Sequence, residues 1–392
     1  MEEWKSYKLG DVITVLDYKR VPLSSKERES RKGIYPYYGA QGIIDYIDDF
    51  IFDGEYLLIA EDGENLKSQK QNVAQIARGK YWVNNHAHIV ESNGKCDIRY
   101  ICFLLNSMDL SGYITGSAQP KLNQANLLAI ELNLPDLYSQ IQIADILSMF
   151  DDKIAINNRI NHNLEEQAQA LYKSWFVDFE PFKGGDFVDS ELGLIPEGWR
   201  VGTLSELGDI VAGGTPSKTK PEYYTNNGIA WLTPKDLSIK CNKFTARGEI
   251  DITEDGYKNS SAKLMPRGSV LFSSRAPIGY ISIAKGDICT NQGFKSVVPT
   301  YAGTAYLYYW LCENTEAIEA QASGSTFKEA SGSLMRSFPA LVPEKSVIDS
   351  FEKELSPILN EQEILEEEIN HAEQIRDSLL PRLMSGELVM NC

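Results

Sequence analysis

The stretch Lys19–Gln41, KRVPLSSKERESRKGIYPYYGAQ, interleaves Lys19, Arg20, Arg28, Arg31 and Lys32 with Tyr35, Tyr37 and Tyr38. Cations neutralise phosphates, and aromatic or amide side chains such as Gln41 can reach base edges, so this is chemistry suited to a nucleic-acid duplex. Lys67, in the polar segment Glu61–Gln75, extends the set. A second set follows in Gly213–Ile250, with Lys218, Lys220, Lys235, Lys240, Lys243 and Arg247, and then Ser273, Ser274 and Arg275 at an expected strand–loop junction. Each cation can equally be a solvated surface charge, and Tyr37 and Tyr38 can equally pack in a core.

Other chemistry is not spelled out. There is no GxGxxG after a strand and no GxxxxGK[ST] to cradle a nucleotide. No Asn-Pro-Pro-Tyr or Asp-Pro-Pro-Tyr marks a base methylase, and no GxSxG marks a serine nucleophile. The acids of EDGENLK (Glu61–Lys67) are not spaced as in a nuclease. His86 and His88 alternate on an expected strand and face one side, but a metal needs a third ligand, and a packed or hydrogen-bonded pair is the better reading. A non-catalytic chain without a metal is expected.

The formal net charge of −17 argues at first against a nucleic-acid partner. Its distribution matters more. Glu344–Cys392 carries twelve acids and four bases, whereas Ala212–Thr300 carries twelve bases and seven acids. The acid is concentrated in one expected helix, where a plain solubilising role is also open, and a mildly basic globular region remains. Apolar and charged fractions of 43% and 24% are those of a soluble protein. The opening MEEWKSYKLG has no apolar signal core, no run approaches the ~18 apolar residues of a membrane span, and six scattered cysteines read as reduced thiols. A cytoplasmic protein with no membrane partner is expected.

The elements that must position these residues are written twice. Trp4 answers Trp199 at an offset of 195, Gly10-Asp11 answers Gly208-Asp209 at 198, and GEYLLIA (Gly54–Ala60) resembles GSVLFSS (Gly268–Ser274). Asn85 answers Asn291 at 206; Gly116-Ser117 answers Gly324-Ser325 and Pro135 answers Pro343, both at 208. Matches in the same order at offsets between 195 and 214 are the mark of a duplication with small loop insertions. YLLIA, VAQIA and HAHIV, bounded by turn signals at Glu61-Asp62-Gly63 and Arg78-Gly79, predict strands, as do SVLFS and GYISIA on either side of SRAPI. Ile98–Ser107 and Thr304–Asn314 have helical spacing. Each half is therefore α+β. The segments that do not correspond are Lys19–Gln41 and Glu61–Gln75 against Gly213–Ile250 and Ser273–Ile278: like frameworks with unlike tips, as two readers of different targets would have.

A long apolar stripe follows each proline. Ile143, Phe150, Leu164 and Leu171 share one heptad position, and Leu147, Ile154, Ala168 and Trp175 another; shifted by 208, the same frame holds Phe351, Ile358, Leu365, Ala372 and Leu379, with Leu355, Ile369 and Leu383. This predicts a coiled-coil seam, interrupted at Asn157 and Asn161 in one helix and at Gln362 and Arg376 in the other, where buried polar groups fix register. Antiparallel pairing inside one chain is the economical arrangement, and a homodimer seam is the alternative. Pro357 predicts a helix start or kink, and Pro381 an end or bend before RLMSGEL. A helix of ~40 residues is ~60 Å long, a spacer of the class that two readers on one face of a duplex with a ~34 Å repeat require. The expected domains are 1–135, a helix at 136–182, 183–342, and a second helix at 343–392. The aromatic run SWFVDFEPF (Ser174–Phe182), with Trp175, Phe176 and Phe179, exceeds what one seam can bury; it is a candidate partner-docking surface or packs on the adjacent domain.

Gly193–Pro216 (GLIPEGWRVGTLSELGDIVAGGTP), Ile229–Ser238 (IAWLTPKDLS), Ser269–Ala284 (SVLFSSRAPIGYISIA), Thr290–Val297 (TNQGFKSV) and Leu171–Phe182 (LYKSWFVDFEPF) resemble the specificity subunits of type I restriction–modification systems, and the likeness covers nearly the whole chain. The resemblance implies two target-recognition domains related by a pseudo-two-fold axis and joined by two long helices. Each domain would read one half of a bipartite site in double-stranded DNA, and the helices would set the spacer and dock two modification (methyltransferase) subunits, with restriction subunits joining them in a prokaryotic cytoplasm. S-adenosylmethionine, ATP and magnesium would belong to those partners, with no cofactor on this chain. The halves depart from one another at GSAQPKLN and GSTFKEAS, where Phe327 stands opposite Gln119, so no role transfers between those two positions.

Overall fold

A computed structural model describes residues 4–68, 70–116, 119–239, 242–324 and 328–388; Ser117, Lys240, Cys241, Ser325, Phe327 and Cys392, used in the sequence reading, lie outside them. The chain divides into two units, Met1–Ala155 with Asn370–Cys392 and Ile156–Ile369.

Unit 1 contains β1 (Lys5–Lys8), β2 (Ile13–Val15), α1 (Ser25–Ser30), β3 (Lys32–Gly39), β4 (Gly42–Ile47), β5 (Phe52–Ala60), α2 (Asn65–Ser68), β6 (Ala74–Val83), β7 (Ala87–Ser92), α3 (Ile98–Ser107), α4 (Gln124–Leu128), β8 (Glu131–Leu134) and the first half of α5 (Leu137–Phe176). Six strands form one sheet in the order β2-β7-β5-β6-β3-β4, and β1 pairs with β8. Alternation along β5 sends Leu57 and Ile59 to one core with α3 and the long helices, and Leu58 to a second core with Phe52, Tyr81 and Ile89. The expected turn at Arg78-Gly79 is not one: β6 runs through it. Gly79 stands opposite Gly54 in the β5–β6 ladder, and both have positive φ, 80° and 143°, so the glycines permit a local distortion inside a paired strand.

Unit 2 contains β9 (Phe187–Ser190), β10 (Gly193–Pro196), β11 (Arg200–Thr203), α6 (Leu204–Leu207), β12 (Gly208–Ala212), β13 (Tyr224–Thr225), β14 (Trp231–Leu232), α7 (Pro234–Ile239), β15 (Phe244–Thr245), β16 (Asp251–Ile252), α8 (Glu254–Lys258), β17 (Val270–Ser274), β18 (Ile278–Ala284), β19 (Cys289–Thr290), β20 (Lys295–Pro299), α9 (Thr304–Gln321), α10 (Gly332–Ser337), β21 (Pro339–Val342) and the first part of α11 (Lys345–Met384). Its main sheet is β12-β20-β17-β18-β15. The duplication is thus visible strand by strand: β2-β7-β5-β6 corresponds to β12-β20-β17-β18, and the β1–β8 pair to β11–β21. The unlike segments add to the same edge of each framework. In unit 1 β3 joins β6 in parallel through Tyr37↔Trp82, and in unit 2 β15 joins β18 in parallel through Phe244↔Ile283.

Helices α5 and α11 are each 40 residues long, and both ends are related by an offset of 208. They pair antiparallel within each unit. In unit 1 Arg376 Nη1 meets Asp151 at 2.8 Å, and Ile143, Leu147 and Leu383 are buried. In unit 2 Asn157 Nδ2 donates to Glu368 at 2.9 Å, Gln362 Nε2 to Glu165 at 3.0 Å, and Tyr172 packs against Phe351. Asn157, Gln362 and Arg376, three of the expected seam breaks, therefore all bond across the seam, which satisfies polar groups that could not be left alone there. Pro357 does not start the second helix, and Pro381 does not end it. Pro357 and Lys353, the residue whose carbonyl it leaves without an amide partner, are both exposed, so the helix runs through the proline on its solvent side.

The acids of α11 do more than solubilise. Glu352 accepts the Ala305 and Tyr306 amides at the start of α9, and Glu366 accepts those of Lys243 and Phe244 at β15. Burial pushes both carboxyls above the ordinary range despite these amides. Glu363 pairs with Arg267 at 2.5 Å, and Glu367 pairs with Lys285.

Candidate nucleic-acid interface

In unit 1 the sheet edge carries the expected basic and aromatic segment, but the structure sorts its residues into two groups. Gln41 is exposed in the β3–β4 turn and donates to Asn65 on α2 at 3.2 Å, and α2 also carries the exposed Lys67. Lys19 is exposed, with its ammonium 5.7 Å from the ring of Tyr18, which is 78% exposed. Lys32 is exposed and pairs with Asp45 at 2.6 Å; the half-buried Arg31 pairs with Asp48 at 2.9 Å and lies over the Trp82 ring. Tyr38 is half-buried, edge-on to Tyr81.

Two expected contact residues in this unit are corrected. Tyr37 is fully buried and accepts the Leu23 amide at 2.9 Å, because its position in β3 points into the core with Ile47 and Trp82. Arg20 is a structural cation: it bonds Glu61 at 2.7 Å, Asp17 at 3.2 Å and the carbonyls of Asn85 and Ala87. Around it lies the one group of three possible metal ligands among the described residues, Asp17, Glu61 and His88. Burial would raise the Asp17 carboxyl, but hydrogen bonds from His88 at 2.6 Å and the Ile89 amide, with Arg20 nearby, hold it below the ordinary range. For Glu61 burial is likewise outweighed, by Arg20 and Lys121. The second nitrogen of His88 faces the Leu122 carbonyl at 2.7 Å. The cations and hydrogen bonds already meet the needs of this cluster, which fits a structural lock and does not fit a cation site. His86 is separate from it, half-exposed and bonded to Asp62 at 2.7 Å.

In unit 2 a cleft of about 770 Å³ gathers Lys218 and Arg275 from two loops and Lys235 from α7. Its walls include Tyr224 and Trp231, which pack edge to face, with Pro221 and Pro234. Thr215, Asn291 and Gln292 also line it. The sequence reading missed these polar residues because TNQGFKSV served there as shared framework; the signal was the amide pair itself, standing at the end of a strand. Lys220 lies apart, exposed and bonded to Tyr223 OH at 2.9 Å.

Ser273 and Ser274 are corrected: both are fully buried, Ser273 donating to the Pro277 carbonyl and Ser274 to that of Gly293. They tie the β17–β18 turn to the sheet and leave Arg275 as the residue that reaches the cleft. Lys243 is also buried. Its ammonium meets Glu165 at 2.6 Å, Tyr309 OH at 2.6 Å and Gln362 at 2.8 Å, and lies over the Tyr308 and Tyr309 rings. Burial holds that lysine below its ordinary range. Arg247 is exposed and pairs with Asp251 at 3.0 Å.

The aromatic run at the end of α5 and just beyond it packs inside unit 2. Phe176 is buried, with ring centroids 4.8 Å from those of Tyr306 and Phe351. Trp175 packs on Phe351 and Phe182, and Phe179 on Trp199. Local packing, the alternative given above, is what holds these three side chains, so Phe176 is not a surface residue.

The family profile described as the type I restriction modification DNA specificity domain matches residues 1–166 and 196–374. The MjaIX specificity subunit of Methanocaldococcus jannaschii is 37% identical over 191 residues, 46% of this chain and 44% of that protein. The HindI specificity subunit of Haemophilus influenzae is 25% identical over 99% of this chain and 100% of its own length. The crystal structure of a type I S subunit from M. genitalium has the same fold, with a TM-score of 0.70 at 14% identity, over 100% of this chain and 97% of that one. The chain belongs to the type I restriction–modification DNA specificity family.

Proposed function

We propose that this chain is the non-catalytic DNA-reading subunit of its complex, with each unit reading one half of a bipartite site in double-stranded DNA. The observation that carries this reading is the pair of like sheets whose unlike segments add to the same edge, β3–β4 in one unit and β15 in the other. Common frameworks with different edges suit two half-sites of different sequence. The exposed Gln41, Lys19 and Lys67 of unit 1 and the cleft of unit 2 supply donors and cations for base edges and phosphates. The long helices act as the spacer. Methyl transfer and cleavage, with S-adenosylmethionine, ATP and magnesium, belong to modification and restriction subunits.

The experiment is methylome sequencing of cells with and without this chain, together with binding by its purified complex with modification subunits. A bipartite methylated motif that appears only with the chain, and binding that falls steeply with salt, are expected. Binding indifferent to both sequence and salt would remove the reading.

Docking of modification subunits is assigned to the outer face of α5. In unit 1 that face exposes Tyr138, Ile141 and Met149, the last 68% exposed, and in unit 2 it exposes Ile156 and Ile160. At 100° per residue these positions lie opposite the seam residues Leu147 and Tyr172, giving α5 a second apolar stripe. Met149→Asp and Ile156→Asp should each lower co-purification with the modification subunit at least tenfold without moving the unfolding temperature of this chain; unchanged co-purification would reject the assignment.

A further inference from the structure

In the cleft of unit 2 the side-chain oxygens of Asp236, Glu249, Asn291 and Gln292 each accept a hydrogen bond from within the protein. Asp236 accepts the Thr233 amide and hydroxyl, each at 2.7 Å, on one oxygen and the Glu249 amide at 2.9 Å on the other. Glu249 is paired with Lys235 at 3.2 Å. Asn291 Oδ1 accepts the Gly293 amide at 2.8 Å, and Gln292 Oε1 accepts the Thr215 hydroxyl. What remains are amide N–H groups of Asn291 and Gln292 and the guanidinium of Arg275. Arg275 is held loosely: its contact with Glu329 is 3.4 Å, and Glu329 lies nearer Lys295, at 3.1 Å.

Each base pair shows a different pattern in the major groove. Adenine and cytosine present an amino group there and call for a protein acceptor, which the Arg275 guanidinium cannot supply. Thymine offers one acceptor beside a methyl group. Guanine presents two acceptors, O6 and N7, matched to the two parallel N–H bonds of an arginine fork.

Building on the proposal that unit 2 recognises DNA, we infer that its cleft reads a guanine, with Arg275 on O6 and N7 and the amides of Asn291 and Gln292 as flanking donors. A phosphate is also acceptor-only, and the test separates the two. The full chain carrying Arg275→Ala or Arg275→Lys is co-expressed with its modification subunits, and the methylated motif is sequenced. One half-site of the original motif should contain a guanine whose position becomes degenerate in both variants, since lysine restores the charge without the fork. The other half-site should be unchanged, which also shows that the variants fold. In binding by the purified complex, 7-deazaguanine at that position should weaken the original chain about tenfold and leave Arg275→Ala indifferent.

Weakening that is uniform across all positions, with a salt slope reduced by about one, would identify a phosphate contact and overturn the inference. A bipartite motif unchanged in both variants would also overturn it, while leaving the two-reader function standing. A chain that directs no bipartite methylation would defeat the function itself, a separate outcome.

Discussion

Arg20 shows how a residue type can be right for a chemistry and still be spent elsewhere. Its partners Asp17, Glu61, Asn85 and Ala87 are far apart in sequence and converge only when β5 and β7 lie side by side, so no spacing rule could have withdrawn it from the DNA-contact set. Ser273 and Ser274 were misread, and Tyr37 was left between core and contact, for a simpler reason: strand alternation fixes which neighbour faces inward only once the register is known. That Gln41 and Lys67 are exposed and Arg275 lines a cleft was legible, because turns and junctions lie at surfaces. Arg20→Gln should therefore cost stability, about 1–3 kcal/mol for lost charge-assisted bonds, read as a fall of a few degrees in unfolding temperature. Asp17 and Glu61 titrate below their ordinary values in the folded protein. Their contribution is complete above the ordinary carboxylate range and is lost as pH falls through the lowered values. Acid unfolding monitored in Asp17→Asn should show a weaker dependence in that window; an unaltered profile would deny the cluster its role.

At the scale of elements, the two long helices were the most legible feature, because five heptads of apolar spacing are hard to write by chance. The extent of α11 was not, because a proline rule cannot see that Pro357 falls on the solvent side. Strand β15 was illegible: two residues, Phe244 and Thr245, paired in parallel with β18, leave no periodic signal. What anchors it is Lys243, whose ammonium is held by Glu165 and Gln362 while Glu366 caps the adjacent amides. Lys243→Met leaves Glu165 half-buried without its cation and should cost about 3–5 kcal/mol in denaturant unfolding, with part recovered in Lys243→Met/Glu165→Gln. A loss under 1 kcal/mol would mean that the network contributes little. Adding one heptad to both α5 and α11 preserves pairings such as Asn157–Glu368 and should change the spacer of the methylated motif but neither half-site. An unaltered spacer would count against the ruler.

For the whole molecule, the duplication was readable from six ordered matches, and the helices repeat it at the offset of 208 that Pro135 and Pro343 had already given. Net charge was the weaker guide, since a total of −17 hides acids that are consumed in fastening β15, α9 and the basic residues Arg267 and Lys285. The sites were less legible than the frame, because the residues of the unit 2 cleft come from loops, two-residue strands and α7 scattered between Thr215 and Gly293.

Gly386, just past the end of α11, has φ of 72° and lies so close to Trp4 that an added Cβ would come within 2.9 Å of its indole. Trp199 fills the matching place after α5, against Phe179 and Phe182. Within unit 1 the first and last described segments thus lie side by side. A rearranged gene that splices the old tail to the old head through a short flexible bridge, and opens instead at the exposed Lys183–Gly185, should yield a protein that marks the same sites in sequenced genomes. A permuted chain that folds but marks different sites would show that the order of the segments along the gene governs which half is read.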